Sequence, residues 1–209
     1  DYDLGVSVTA DSAARLEVTG TGTQMSGTSQ SITVTAKDDY GNIDLAYSGS
    51  KNLTFSGASS AGGPPNPTVA ATDFGSTTSL TFASGQVTSS MLLYAAESAT
   101  IDADDGSIDS TGNTSYDLDV TVSANHLVVT GSALQTAGIA QTLTITAKDF
   151  YGGTDTGYTG DKSLTFSGPA AAPDGNTPTV TDKTVAAVDI GTTTTVTFTA
   201  GVGSAGGSM

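Results

Sequence analysis

The chain contains its own sequence twice. Ile32-Thr33-Val34-Thr35-Ala36-Lys37-Asp38-Asp39-Tyr40-Gly41 returns as Leu143-Thr144-Ile145-Thr146-Ala147-Lys148-Asp149-Phe150-Tyr151-Gly152, and Lys51-Asn52-Leu53-Thr54-Phe55-Ser56-Gly57 returns as Lys162-Ser163-Leu164-Thr165-Phe166-Ser167-Gly168. Both blocks recur at one spacing of about 111 residues, the length of a β-sandwich module and too long for a solenoid repeat. The sequence is therefore a tandem array of one module, and the fold has to be one that such copies build separately.

The phase of the repeat sets the expected domains. Tyr2-Asp3-Leu4-Gly5-Val6-Ser7-Val8-Thr9-Ala10 matches Tyr116-Asp117-Leu118-Asp119-Val120-Thr121-Val122-Ser123-Ala124, so residues 1–10 read as the closing strand of a preceding or partner module. Residues 11–124 read as one complete module and residues 125–209 as a second. In that second copy, residues 198–209 correspond to 82–91 and nothing corresponds to 92–124. It is expected to lack its last two or three strands, exposing an apolar groove and unpaired backbone groups. Either the chain continues, or a neighbour supplies a strand.

Within a module the apolar period is two. Ile32, Val34 and Ala36 alternate with Thr33, Thr35 and Lys37, the pattern of a strand with one face on a core. Leu16 and Val18, Leu53 and Phe55, Leu80 and Phe82, and Leu118, Val120 and Val122 repeat it. Residues 59–67 and 102–113 are rich in turn formers and read as connections. Residues 92–99 carry the best helical pattern but read equally as a strand. The expected class is all-β: tandem immunoglobulin-like β-sandwich modules of about seven strands, the second copy incomplete. Cysteine is absent, so no disulfide staples the fold. The net charge of −15 argues against nucleic acid or an anionic membrane as partner, and no apolar run is long enough for membrane insertion.

The block Ile32 to Asn42, with Ala36-Lys37-Asp38 running into Tyr40-Gly41-Asn42, resembles the bacterial immunoglobulin-like repeats of invasin-type tandem surface proteins. The Phe55-Ser56-Gly57 strand end and the final strand at residues 116–124 extend the resemblance more loosely. The second copy departs from it at Gly153, where Asn42 stands in the first. The resemblance implies an exported, modular, non-enzymatic protein and identifies no ligand; the partners expected for such a cell-surface array are neighbouring modules or subunits, with host or cell-surface glycans or proteins as further candidates.

Two acidic groups have the ligand types of a Ca²⁺ site, the one cofactor the sequence brings forward. Asp38, Asp39, Asn42 and Asp44 place hard oxygens at short spacing, and Asp102, Asp104, Asp105 and Asp109 form the densest carboxylate cluster. The alternative for the first is a hydrogen-bonded turn, and for the second a solvated loop whose charges spread apart. Lys51 and Lys162 share strand parity with Leu53 and Leu164, which points them inward. Either they form an isopeptide link or their stems run out to the sheet rim.

The inventory for catalysis is thin. His126 is the only histidine, and no nucleophile elbow, phosphate loop or metalloprotease motif is present. The expectation is a non-enzymatic extracellular structural or adhesive repeat protein forming a stalk or fibre. A self-assembling filament is the alternative, with residues 1–10 entering the incomplete sandwich of a neighbour. A carbohydrate-binding module is the third reading; its usual aromatic platform is hard to find with no Trp and few clustered Tyr, and Tyr40 and Tyr47 are the residues whose change would test it.

Overall fold

The computed structural model describes residues 9–60, 63–112, 115–173 and 175–208, and every regular element among them is a β-strand. The strand expected over residues 1–10 lies outside this set except for its last two residues. The chain divides into two compact units, Asp1–Val122 and Ser123–Met209.

Unit 1 is built from β1 (Arg15–Thr19), β2 (Thr23–Met25), β3 (Ser29–Lys37), β4 (Gly49–Ser56), β5 (Thr68–Val69), β6 (Thr72–Asp73), β7 (Thr77–Phe82), β8 (Gln86–Leu92), β9 (Ser98–Asp104) and β10 (Leu118–Ser123). They form two five-stranded sheets, ordered β1-β3-β8-β5-β6 and β2-β10-β9-β4-β7. Alternation decides what lies between them. Leu16 and Val18 of β1, Ile32, Val34 and Ala36 of β3 and Met91 of β8 cover one side, and Leu53, Phe55, Ile101, Ala103, Val120 and Val122 cover the other; all are buried. This is the architecture of an immunoglobulin-like sandwich.

Three details differ from the sequence reading. The strands number ten instead of about seven, because β2, β5 and β6 are two or three residues long and too short to carry a period. The connection expected to begin at Asp102 begins later, since Asp102 and Asp104 belong to β9. Residues 92–99 form no helix: they end β8, turn and begin β9.

Unit 2 contains β11 (His126–Thr130), β12 (Gln141–Lys148), β13 (Gly160–Thr165), β14 (Thr179–Thr181), β15 (Ala187–Asp189), β16 (Thr193–Thr199) and β17 (Val202–Ser208). Its registers copy those of unit 1. Arg15 faces Lys37 and His126 faces Lys148; Gly49 faces Phe82 and Gly160 faces Phe198; Val69 faces Met91 and Val180 faces Gly207. One connection has grown: two residues separate Val69 from Thr72, whereas seven separate their counterparts Val180 and Val188.

The described residues of unit 2 include no counterpart of β9 or β10, and the consequence is read directly from burial. Leu16 is 0% exposed and its counterpart Leu127 37%; Val18 is 2% exposed and Val129 52%. The second core reduces to Ile145, Val196, Phe198 and Ala205, with Tyr158, Leu164 and Phe166 packed at its edge. The short β2 has also vanished. In unit 1 it exists by pairing with β10, and the matching stretch around Leu134 has no strand and leaves that side chain 88% exposed.

The two units therefore predict unequal costs for one substitution. Leu16→Ala is expected to destabilise unit 1 by about 2–5 kcal/mol, as for a fully buried leucine, and Leu127→Ala to destabilise unit 2 by about 1 kcal/mol or less, because its side chain stays partly in water. Urea unfolding followed by resolved NMR signals of each unit checks this. Equal losses would contradict the open face.

Candidate functional site: carboxylate turns and an open apolar face

The first acidic group forms a turn directly after β3. Asp38 accepts the N–H groups of Tyr40 and Asn42 at 2.9 and 2.8 Å through Oδ1, and the side-chain amide of Asn42 and the N–H of Asp11 at 3.0 and 3.2 Å through Oδ2. The carboxylate is buried, so these donors replace water. The Asn42 side chain holds its pKa below the ordinary aspartate value against the opposing effect of burial, with the N–H groups of Asn42, Asp11 and Tyr40 adding to it. Asp44 accepts Ala46 N–H through Oδ1 and Ala13 N–H through Oδ2, at 2.9 and 3.0 Å. Asp39 points away, with its side chain 82% exposed and 4.0 Å from the Arg15 guanidinium. Asn42 is thus joined to Asp38, Asp38 and Asp44 both hold the backbone ahead of β1 through Asp11 and Ala13, and Asp39 stands apart.

Unit 2 keeps the backbone half of this arrangement. Asp149 accepts the N–H groups of Tyr151 and Gly153, and Asp155 those of Gly157 and Ala124. Gly153 supplies the N–H that Asn42 supplies in unit 1 but has no side-chain amide to add.

The second acidic group is held in separate turns. Asp104 accepts Gly106 N–H, and Asp109 accepts both the N–H and the hydroxyl of Thr111. Asp105 accepts Ser107 and Ile108 N–H through Oδ1 and the Tyr47 hydroxyl through Oδ2 at 2.5 Å. Burial alone would raise the Asp105 pKa, but the Tyr47 hydroxyl, the two N–H groups and the Lys51 charge together lower it. The Tyr47 hydroxyl is pushed well up, by burial first and by its bond to Asp105 second. Lys51 lies 4.3 Å from the Tyr47 ring centroid and Phe82 meets the same ring edge-on at 4.9 Å. Lys162, Tyr158 and Phe198 repeat the cluster in unit 2. The lysines expected to point inward therefore rest on a tyrosine face. Among the described residues, no group of three or more His, Cys, Asp or Glu side chains comes together to hold a metal ion.

Asp102 is the exception in its cluster. It sits on β9 one residue beyond the Ile101–Leu118 pair, which brings it opposite Asp117 at the start of β10. Burial pushes its pKa up to about 6, with Asp117 and the more distant charge of Asp109 adding to the rise. Sequence reasoning missed this pair because Asp117 is fifteen residues on, and only the register of β9 and β10 joins the two.

The open face of unit 2 holds an apolar concavity of about 430 Å³, lined by Val129, Gln141, Leu143, Phe166, Val180 and Ile190 among others. The aromatics proposed for sugar binding divide: Tyr40 is 85% exposed at a turn tip, while Tyr47 is engaged by Asp105, Lys51 and Phe82.

No family model matches the chain, and no curated protein sequence matches it. Among solved structures, the chain is similar over 92% of its length to domains 4–9 of the surface layer protein SbsC, at 16% identity with a TM-score of 0.32, and spans 26% of that chain. It is similar over 93% of its length to the adhesin InvE of Yersinia pseudotuberculosis, at 15% identity and a TM-score of 0.36, covering 53% of that chain. Domains 5–6 of the S-layer protein SbsC match over 92% of this chain and 85% of theirs, at 18% identity and a TM-score of 0.31.

The carboxylates give two expectations. Both oxygens of Asp38, Asp44 and Asp105 are already taken by N–H and O–H donors, so the melting temperature is expected to be the same in calcium and in chelator; a rise of several degrees with calcium would overturn that. For Asp102 the folded pKa of about 6 lies above the ordinary 3.8. The folded chain therefore holds a proton that the unfolded chain has released between those values, and this group's contribution to stability falls as pH rises through that window. Asp102→Asn, which keeps the site neutral, is expected to be more stable than the wild type at pH 7 by about 1 kcal/mol, a two-unit shift discounted for partial exposure. The gain should vanish near pH 4. Urea titrations at both pH values measure it.

Proposed function

We propose that the chain is a non-enzymatic, extracellular structural or adhesive protein whose modules act as load-bearing units of a cell-surface stalk or fibre. The observation that carries the reading is the repetition of one module with one strand register in both units, from Arg15 facing Lys37 to His126 facing Lys148. Two further features support it. The recognisable side-chain constellations, the Asp38 turn and the Tyr47–Lys51–Phe82 cluster, hold the module together and present no reacting groups to solvent. The charge of −15 keeps such modules soluble and mutually repelling.

Antibody raised against unit 1 is expected to label intact source cells, and surface protease is expected to remove the label. Label found only after lysis would sink the reading. Pulling the chain by its ends should show unit 1 resisting and then releasing roughly 350–400 Å of contour, the extended length of about 110 residues; smooth extension without such a step would deny the module a load-bearing role.

The open face of unit 2 favours one second reading, assembly by strand donation. Leu4, Val6 and Val8 repeat the spacing of Leu118, Val120 and Val122, which fill the corresponding place in unit 1. Residues 1–8 themselves lie outside the described set. A synthetic peptide of residues 1–10 is expected on this reading to bind the chain and to suppress any concentration-dependent assembly, and Val6→Asp in the peptide to abolish both effects. A strictly monomeric chain at all concentrations, indifferent to the peptide, would eliminate it.

A further inference from the structure

We propose that Asp44 and Asp155 are latches: each fastens the strand-free backbone leading into its module onto the module's own body. In unit 1 the N–H of Ala13, two residues before β1, donates to Asp44 Oδ2 at 3.0 Å. In unit 2 the N–H of Ala124, two residues before β11, donates to Asp155 Oδ2 at 2.8 Å. The other oxygen plays one part in both, holding Ala46 N–H in one and Gly157 N–H in the other. An N–H bonded to a carboxylate is a charge-assisted contact, stronger than one between neutral groups. It also reaches residues just outside the backbone bonding of the sheet, which begins with Ala14 N–H to Lys37 O in unit 1 and Asn125 N–H to Lys148 O in unit 2.

A latch is only as firm as its anchor, and the anchor is also repeated. Asp44 N–H donates to Ala36 O, and Asp155 N–H to Ala147 O, tying each carboxylate's backbone to β3 in unit 1 and to β12 in unit 2. The loop then sits on a hairpin glycine. Gly85 N–H donates to Tyr47 O and Ala36 N–H to Gly85 O, and Gly201 joins Tyr158 and Ala147 in the same way. A Cβ on Gly85 would lie 2.6 Å from the Asp44 carbonyl oxygen, and one on Gly201 2.4 Å from that of Asp155, with φ of +81° and +83°. No side chain fits between hairpin and latch loop, so the loop is seated directly on backbone.

For a chain under tension, β10 closes at Ser123 and the very next residue is already held by Asp155. Tension arriving from the preceding strand therefore meets the Asp155 contact first and passes through residue 155 into β12. That consequence rests on the load-bearing reading given above; the latch itself does not.

Amide hydrogen exchange measured by NMR on the whole chain tests it. In the wild type, Ala13 and Ala124 should be protected although both precede their strands. Asp44→Ala is expected to speed exchange at Ala13 by about tenfold or more, the effect of losing one hydrogen bond to a charged group, while Ala124 and the core amides of Val34 and Ile145 are unchanged. Asp155→Ala should reverse the pattern. If Asp44→Ala loosens all of unit 1, Asp44→Asn decides, since it keeps an acceptor oxygen without the charge: Ala13 accelerated beyond Val34 supports the latch. Ala13 tracking Val34, or exchanging freely in the wild type, overturns it. Failure there with intact surface labelling removes the latch alone, and label confined to the cell interior removes the functional reading while leaving the latch standing.

Discussion

Everything in this molecule depends on one requirement: the apolar face of a sheet has to be covered. Unit 1 meets it with a second sheet, and its central leucines, valines and phenylalanines leave the solvent. Unit 2 provides an internal control. Its strands pair in the same register although half of the cover is missing among the described residues. Register is thus set between the paired strands themselves, by the alternation of each pair, whereas burial is set by what lies across the sandwich. The fate of β2 shows the dividing line. Its side-chain bond survives without it, since Gln141 donates to Gln135 as Gln30 does to Gln24, but the strand itself is lost with its partner.

The acidity of the chain has a structural origin as well as a colloidal one. Glu occurs only at Glu17 and Glu97, and nearly all carboxylates are Asp. The shorter side chain reaches back to the N–H two residues on, as Asp38 does to Tyr40, Asp44 to Ala46, Asp104 to Gly106, Asp105 to Ser107, Asp109 to Thr111 and Asp182 to Thr184. A glutamate has one methylene too many for this local closure. Within the dense acidic stretches, the turn-forming carboxylates each cap the turn that follows them. Asp102 makes no such turn: it lies on β9 and meets the carboxylate of Asp117 beside β10.

Legibility followed the range of the interaction. The long strands were readable because alternation over five or more residues is a local signal, and the repeat made the module visible before any strand was assigned. The Asp38 turn was half readable: Asp, Gly and Asn announce a turn, but the bond from Asp11 N–H to Asp38 does not follow from spacing, since it joins residues 27 apart. The contacts of Tyr47 with Asp105, Asp102 with Asp117, and Ala13 with Asp44 were unreadable for the same reason. Each depends on which strand lies beside which, and neither Tyr47 nor Ala13 belongs to any motif. The lysines were placed on the correct side of the strand, but the tyrosine face beneath them comes from a loop that no periodicity locates.

The likenesses and differences between the two copies separate framework from periphery on physical grounds. Positions with a buried or backbone-directed role are shared, as in the pairs Asp38 and Asp149, Asp44 and Asp155, Tyr47 and Tyr158, Lys51 and Lys162, and Gly85 and Gly201. The tip of the turn after β3 is among the places that differ, with Asp39 becoming Phe150 and Asn42 becoming Gly153. Asp39 and Phe150 are largely exposed, and changing them leaves the bonds of Asp149 to Tyr151 and Gly153 in place. A turn closed by its own backbone N–H groups tolerates such exchange because those bonds do not depend on which side chains stand at its tip. The same closure fixes residues 44 and 155 at the far end of the loop, so the module can vary its surface without loosening its hold on the chain that leads into it.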